Sequence, residues 1–306
     1  MNFEALFDGL AVRHATDSAR DTARHQIKSV ITAPEAACES ALFVATKTPI
    51  SNGRYALASA YARGCRLFLC ASDAYVAKDA TVMICDDPER LLGTLAARVY
   101  GYPARTMTVI GITGSAGKSS VAQMTAQALR CAGRRVGVLD TDGTEIDGVR
   151  TPPTVTAPDA ADIHRALAQM AQNGMEIAIL ELSSYQLVHH AAEGIAFTVV
   201  AMTNFSPRHI GRREHPDATA YRAAKEKLMR VPCALAVLPV GEEMACGALR
   251  VFRVGEGGDL WAENVRTLTP FEETPSTALW LCEKQEKAEI TLPVIGDMGV
   301  QNALCA

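Results

Sequence analysis

The run Val109-Ile110-Gly111-Ile112-Thr113-Gly114-Ser115-Ala116-Gly117-Lys118-Ser119-Ser120 constrains this chain more than any other stretch. A β-branched segment leads into a glycine-rich turn, and the turn leads into a segment of helical periodicity. Gly114 and Gly117 allow the backbone to turn its N–H groups inward, and the helix that follows brings its positive end to the same point. That combination cradles phosphate. Thr113, Gly114, Ser115, Ala116, Gly117 and Ser120 are expected to line the cradle, with Lys118 reaching the β- and γ-phosphates. Ser119 would offer its hydroxyl to Mg²⁺, which takes oxygen donors. The expected cofactors are therefore ATP and Mg²⁺. The common form of this loop has a glycine five residues before Gly117, where Ile112 stands, so only the Gly-Lys-Ser half fits. The alternative is a glycine turn that merely caps a helix; a strand before it and a helix after it favour the phosphate loop.

The rest of the chain repeats the strand-and-helix rhythm around this loop. Upstream, apolar runs at 42–45, 67–71 and 82–85 alternate with helical patterns at 55–63 and 88–99. The second helix opens on Asp87-Pro88-Glu89, a proline in the first turn with acids at the positive end of the dipole. Gly101-Tyr102-Pro103 ends it, which places a domain boundary near residue 105. Downstream, strands are expected at 109–113, 136–140, 177–182, 196–203 and 234–239, with helices at 119–132, 159–173 and 218–229. Short strands close the chain from about 249 to 294. Both parts read as α/β: a small N-terminal α/β domain over 1–105, then a P-loop-like central domain over 106–306 with a mainly parallel sheet.

Composition removes several function classes. In 306 residues, 48% apolar, the net charge is −4, so no basic excess points to nucleic acid or to an anionic membrane. No stretch approaches 18 uncharged apolar residues, and the charged N-terminus lacks the apolar core of a signal peptide. Nine scattered cysteines without a Cys-x-x-Cys pair suit reduced thiols in a cytoplasm.

Five motifs in order, the phosphate loop first, carry a resemblance. Gly111-x-Thr113-Gly114-x-x-Gly117-Lys118-Ser119 resembles the ATP loop of the Mur ligases, which add amino acids to UDP-N-acetylmuramic acid in peptidoglycan synthesis. Thr156-Ala157-Pro158-Asp159 is similar to that family's substrate loop, and Glu181-Leu182-Ser183-Ser184 to its Glu-x-Ser-Ser strand end. Thr203-Asn204 with His209, and then Ala223-Ala224-Lys225, complete the series. Leu42-Phe43-Val44-Ala45 and the stretch from Asp86 to Pro103 look most like the branch adding the third stem-peptide residue.

The resemblance implies an acyl phosphate, formed when a substrate carboxylate attacks the γ-phosphate of ATP and then displaced by an amine. Its implied partners are ATP, a UDP-N-acetylmuramoyl peptide and an amino acid. It also implies catalytic roles for Lys118, Lys225 and His209, and metal binding by Ser119, Glu181, His209 and Lys225, with Lys225 carbamylated. Nucleotide contacts fall to Asn204 and Asn302, and substrate contacts to Thr156 and Ser183. From the residues alone, each has a second reading. Glu181 is either a metal ligand or a surface carboxylate at a strand end, and His209 either a ligand or part of a solvated basic loop with Arg208, Arg212 and Arg213. Lys225, beside Glu226 and Lys227, reads locally as a solvated helical face. Ser183, Ser184 and Thr156 either touch substrate or cap a helix.

Departures from the family pattern set a rival expectation. Ala33-Pro34-Glu35 stands where the family's uridine-nucleotide site has Asp-Ser-Arg, Pro207-Arg208-His209 replaces Arg-Asp-His, and Gly299 replaces the first asparagine of the adenine pair. The amino-acid-binding third domain is absent from this sequence, which calls for a longer ligase or for a partner that supplies it. The rival is a catalytically silent nucleotide-binding protein; a P-loop kinase or simple ATPase is a third reading.

Overall fold

The computed structural model describes the chain except for residues 15–25, 47–53, 72–78, 154, 156, 208–209, 212–213, 270–274 and 285. Helix α1 (Phe3–Phe7) and strands β1 (Arg13–His14), β2 (Ser29–Ile31) and β3 (Ala41–Val44) come first. They are followed by α2 (Arg54–Ala62), β4 (Leu67–Cys70), β5 (Thr81–Ile84) and α3 (Pro88–Val99). Then come β6 (Thr108–Thr113), α4 (Lys118–Cys131), β7 (Val136–Asp140), β8 (Gly143–Ile146), β9 (Val149–Thr151), α5 (Ala160–Gln172), β10 (Ile177–Glu181) and α6 (Ser184–Val188). The chain continues through β11 (Val199–Met202), α7 (Ala218–Met229), β12 (Cys233–Pro239), β13 (Ala248–Val254), β14 (Leu260–Leu268), β15 (Ser276–Glu283), β16 (Glu286–Leu292) and α8 (Gly296–Cys305).

Two compact units form, and they interleave. One comprises Met1–Thr106 with Ala157–Ala171 and His189–Ile195; the other comprises Met107–Thr156, Gln172–Val188 and Ala196–Ala306. In the first, five strands run in the order β1-β5-β4-β3-β2, with β2 to β5 parallel and β1 antiparallel at the edge. The period of two along a strand sends alternate side chains to opposite faces. Leu42, Val44, Leu67, Leu69 and Met83 fill one face, whereas Phe43, Phe68, Cys70, Val82 and Ile84 fill the other. With both faces covered, the strands are uninterrupted apolar runs.

Asp87 caps α3 by accepting from the Arg90 N–H at 3.3 Å, with Pro88 following it. A glycine inside that helix costs about 1 kcal/mol relative to alanine, so Gly93 needs a reason. A Cβ there would overlap the Glu193 carbonyl oxygen and approach the Glu193 Cβ at 2.8 Å, because the segment 189–195 packs directly on α3. Buried His164 on α5 holds the same carbonyl through Nε2 at 2.9 Å. Gly93→Ala is expected to destabilise this unit by about 2 kcal/mol despite the better helix former, seen as a lower midpoint in thermal melting. An unchanged or higher midpoint would mean that the segment does not pack there.

The second unit carries eleven strands in the order β16-β15-β14-β13-β12-β11-β6-β10-β7-β8-β9. From β14 to β7 every neighbour is parallel; β15 and β16 close one edge and β8 and β9 the other, antiparallel. This is the mainly parallel α/β arrangement expected from the sequence. The hairpin β8–β9 is an addition to that expectation, and the closing helix α8 begins at Gly296. The hairpin turns through Asp147 (φ 51°) and Gly148 (φ 77°), the two left-handed positions of a tight two-residue turn. Among the described residues no helix is long and apolar enough to cross a membrane.

Candidate nucleotide site

The loop between β6 and α4 lies at the carboxyl end of the central strands, where open parallel sheets bind ligands. Gly117 takes φ 78° as the N-cap residue of α4, and a Cβ on it would overlap the amide of Asn302. Gly114 takes φ 148°, and its missing Cβ makes room for the Thr203 hydroxyl. Both glycines are thus required twice, once by backbone angle and once by a neighbour.

The segment 203–206, which follows β11 beside β6, fixes the loop from the neighbouring strand. Thr203 Oγ1 donates to the Ala116 carbonyl at 2.6 Å, and Asn204 Nδ2 donates to the same oxygen at 2.8 Å. The Ala116 N–H donates to Asn204 Oδ1 at 3.0 Å and the Ser115 N–H to the Asn204 carbonyl at 3.0 Å. The N–H groups of Ser115 and Ala116, expected to face phosphate, are therefore spent on Asn204. The donors left without an intrahelical acceptor belong to the first turn of α4, from Lys118 through Ser119 and Ser120. Asn204 is placed to shape the loop.

Three polar side chains converge beside that turn. Ser119 Oγ donates to Glu181 Oε2 at 2.7 Å, and Lys118 Nζ lies 3.6 Å from Glu181 Oε1. Glu181 is only 7% exposed at the end of β10, which removes the reading of it as a surface carboxylate. Burial of a carboxylate is costly without a cation, and Lys118 supplies one here. Lys225 is the larger departure from its local sequence. It is 1% exposed, donates to the Gly114 carbonyl at 2.7 Å, and stands 4.5 Å from the centre of the Tyr221 ring. Burial, reinforced by the nearby charge of Lys118, pushes its amine down to about 7. The physical reason is visible in α7: Tyr221, Ala224, Lys225 and Leu228 form one buried stripe at helical spacing.

Ser183 acts as a helix cap, donating through N–H and Oγ to Gln186 Oε1, both at 2.9 Å, while its Oγ accepts from the Gln186 N–H at 3.2 Å. Its neighbour Ser184 meets buried His215 at 2.9 Å. Tyr221 donates to Ser115 Oγ at 3.1 Å. His215 and Tyr221 had no motif to single them out. His209 and Thr156 lie outside the described residues. Asn302, on α8, is brought to Gly117, and its Oδ1 is buried without a hydrogen-bond partner among the described residues, as is the Oγ1 of Thr113.

The donor set suits Mg²⁺. A hydroxyl and a buried carboxylate adjoin a cradle that would supply phosphate oxygens, and Mg²⁺ is held by few protein oxygens together with phosphates and waters. Among the described residues no group of three or more His, Cys, Asp or Glu side chains could hold a metal ion by itself.

The profile of the Mur ligase middle domain matches residues 112–306, close to two-thirds of the chain and including this entire site. The chain belongs to the Mur ligase family. Among similar proteins is the UDP-N-acetylmuramoyl-L-alanyl-D-glutamate--2,6-diaminopimelate ligase of Pseudomonas syringae pv. tomato, 35% identical over 199 residues. That match covers 62% of this chain and 39% of the relative. The protein of the same name from Rhizobium meliloti is 28% identical over 281 residues, covering 87% of this chain and 55% of that one. These names agree with the resemblance to the branch that adds the third residue. A solved structure of a ligase of that name superimposes with TM-score 0.80 at 18% identity, covering 100% of this chain and 62% of the other. The MurF ligase from Thermotoga maritima in complex with ADP gives 0.66 at 16% identity, covering 92% and 62%. This Mur ligase chain thus shares the fold of those enzymes and spans between two-fifths and three-fifths of their length.

Proposed function

We propose that this chain carries the nucleotide half of a Mur-type ligation. ATP binds with Mg²⁺ at residues 113–120, and a carboxylate of a UDP-N-acetylmuramoyl peptide attacks the γ-phosphate, releasing ADP and giving an acyl phosphate; an amino-acid amine then attacks its acyl carbon, expelling phosphate and losing a proton to leave the amide. The observation that carries this reading is the convergence of Lys118, Ser119 and Glu181 at the first turn of α4, with Lys225 buried behind the loop. Bound Mg²⁺ would neutralise charge on the phosphate oxygens.

The chain's own residues do the rest by positioning. Lys118, which now faces Glu181, would pair with the β- and γ-phosphates, leaving the Glu181 carboxylate and Ser119 hydroxyl as metal donors. Asn204 and Thr203 hold the loop open, and Asn302 offers a buried acceptor to the nucleotide. Lys225, whose amine is substantially neutral near pH 7, is poised to add CO₂ with loss of one proton, giving the carbamate that the family resemblance implies. Its N–H could keep the bond to the Gly114 carbonyl. His209 as a metal ligand and Thr156 as a substrate contact rest on the sequence motifs alone. Ionised substrates and scattered cysteines without a Cys-x-x-Cys pair support the cytoplasm as the setting of this chemistry.

The test is isotope exchange. With Mg·ATP labelled at the β,γ-bridge and UDP-N-acetylmuramoyl-L-alanyl-D-glutamate, but no amino acid, reversible acyl phosphate formation should scramble the label only when the peptide is present. Nucleotide binding without scrambling would favour the silent nucleotide-binding reading. Scrambling independent of the peptide would favour a simple ATPase.

A further inference from the structure

We infer that Thr141 is a third oxygen ligand of the nucleotide-bound divalent cation, held in place by a partly buried ion network made of Asp140, Arg150, Glu145 and Arg130. The inference rests on the phosphate-loop reading above. Thr141 directly follows β7, and its Oγ1 lies 3.4 Å from Ser119 Oγ. The Ser119 proton is directed to Glu181 at 2.7 Å. Neighbouring oxygens around an octahedral Mg²⁺ with bonds of about 2.1 Å sit about 3 Å apart, and these two spacings bracket that value. Ser119 is thus flanked by one oxygen on each side.

The residues behind Thr141 show why it stays there. The Asp140 carboxylate is fully buried and accepts from Arg150 Nη1 at 2.7 Å, Gln123 Nε2 at 2.6 Å and the Asp142 N–H at 2.9 Å. Arg150 also donates to Glu145 at 2.7 Å, and Glu145 accepts from Arg130 at 2.7 Å. Arg130 and Gln123 belong to α4, the helix that begins at the phosphate loop, whereas Arg150 and Glu145 belong to the β8–β9 hairpin. Two arginines and two carboxylates cancel in charge and tie helix, strand end and hairpin together. Gly143, at φ 120°, packs so closely on the Thr151 carbonyl that a side chain there would overlap it, which fixes the turn from its other end. Buried ion networks contribute little net stability but hold one geometry. What this one holds is the turn bearing Thr141, and groups that orient metal ligands are commonly worth 10–100-fold in affinity.

The experiment titrates a non-hydrolysable ATP analogue into the full chain with and without Mg²⁺. Thr141→Val is expected to reduce the Mg²⁺-dependent gain in affinity about tenfold, with metal-free affinity unchanged and with recovery in Thr141→Ser. Arg150→Met should lose a similar part of the Mg²⁺ gain, and the double variant should lose no more than either alone, a coupling that general destabilisation would not produce. A wild-type Mg²⁺ gain in Thr141→Val overturns the inference while the phosphate loop stands. Absence of any nucleotide binding by the wild type overturns both.

Discussion

Replacing Lys118 with alanine is expected to weaken binding of Mg²⁺ and a non-hydrolysable ATP analogue by a hundredfold or more, as read by calorimetric titration against the wild type. Charge-assisted hydrogen bonds contribute about 1.5–3 kcal/mol each, and the variant loses those that the ammonium would make to the β- and γ-phosphates. In the free chain Lys118 Nζ lies 3.6 Å from the Glu181 carboxylate, which is 7% exposed. Bound Mg²⁺ would give that carboxylate a cation in wild type and variant alike, so the loss is that of the phosphate contacts, about 3–6 kcal/mol for two. Screening is modest because Lys118 is itself only 17% exposed. Unchanged affinity in this variant would sink the phosphate-loop assignment, and with it the ligase reading built on it.

How far the sequence foretells this site depends on whether the signal is local. The turn from β6 to α4 is encoded in consecutive residues, so glycine spacing and the Lys-Ser pair suffice. The clamp of Thr203 and Asn204 on Ala116 joins residues 87 and 88 apart, and no local pattern carries it. Lys225 is an intermediate case. Its neighbours Glu226 and Lys227 suggest a solvated face, yet residues 221, 224, 225 and 228 share one helical stripe that is otherwise apolar. Periodicity therefore contains the burial that composition hides. The hairpin is similar: Asp147-Gly148 is a strong two-residue turn signal between Glu145-Ile146 and Val149-Arg150. Its partner strand β7 sits at the edge of the parallel sheet, and only the paired structure shows that the hairpin extends that edge. Asp140 is illegible for another reason, since an aspartate at a strand end looks exposed until Arg150 and Gln123 are seen to converge on it. Interleaving of the two units is equally non-local. Helix α5 lies between strands β9 and β10 of the second unit in sequence but packs Ala160 and Ala161 into the core of the first unit.

Lys225→Met should expose what the buried amine costs. With the folded amine lowered to about 7 from 10.5, the unfolded chain binds the proton more tightly than the folded one. Below pH 7 both states are protonated and the full desolvation penalty stands. As pH rises from 7 toward 10.5 the folded state sheds its proton first, so stability rises. Between pH 7 and 9 the wild type should gain about 2 kcal/mol relative to the methionine variant, in CO₂-free buffer that prevents carbamate formation. At pH 6 the variant should be the more stable by a few kcal/mol, because an apolar side chain of similar length removes a buried charge; loss of the bond to the Gly114 carbonyl takes back about 1–3 kcal/mol. The same variant should lose any peptide-dependent isotope exchange, since methionine cannot form a carbamate. Parallel stability curves for the two proteins across pH 6 to 9 would mean that Lys225 titrates as an ordinary lysine, and its burial would then not prepare the amine for reaction. Divergent curves with exchange intact in the variant would separate the two roles, leaving Lys225 as a staple of the phosphate loop and removing the carbamate from the proposed metal donors.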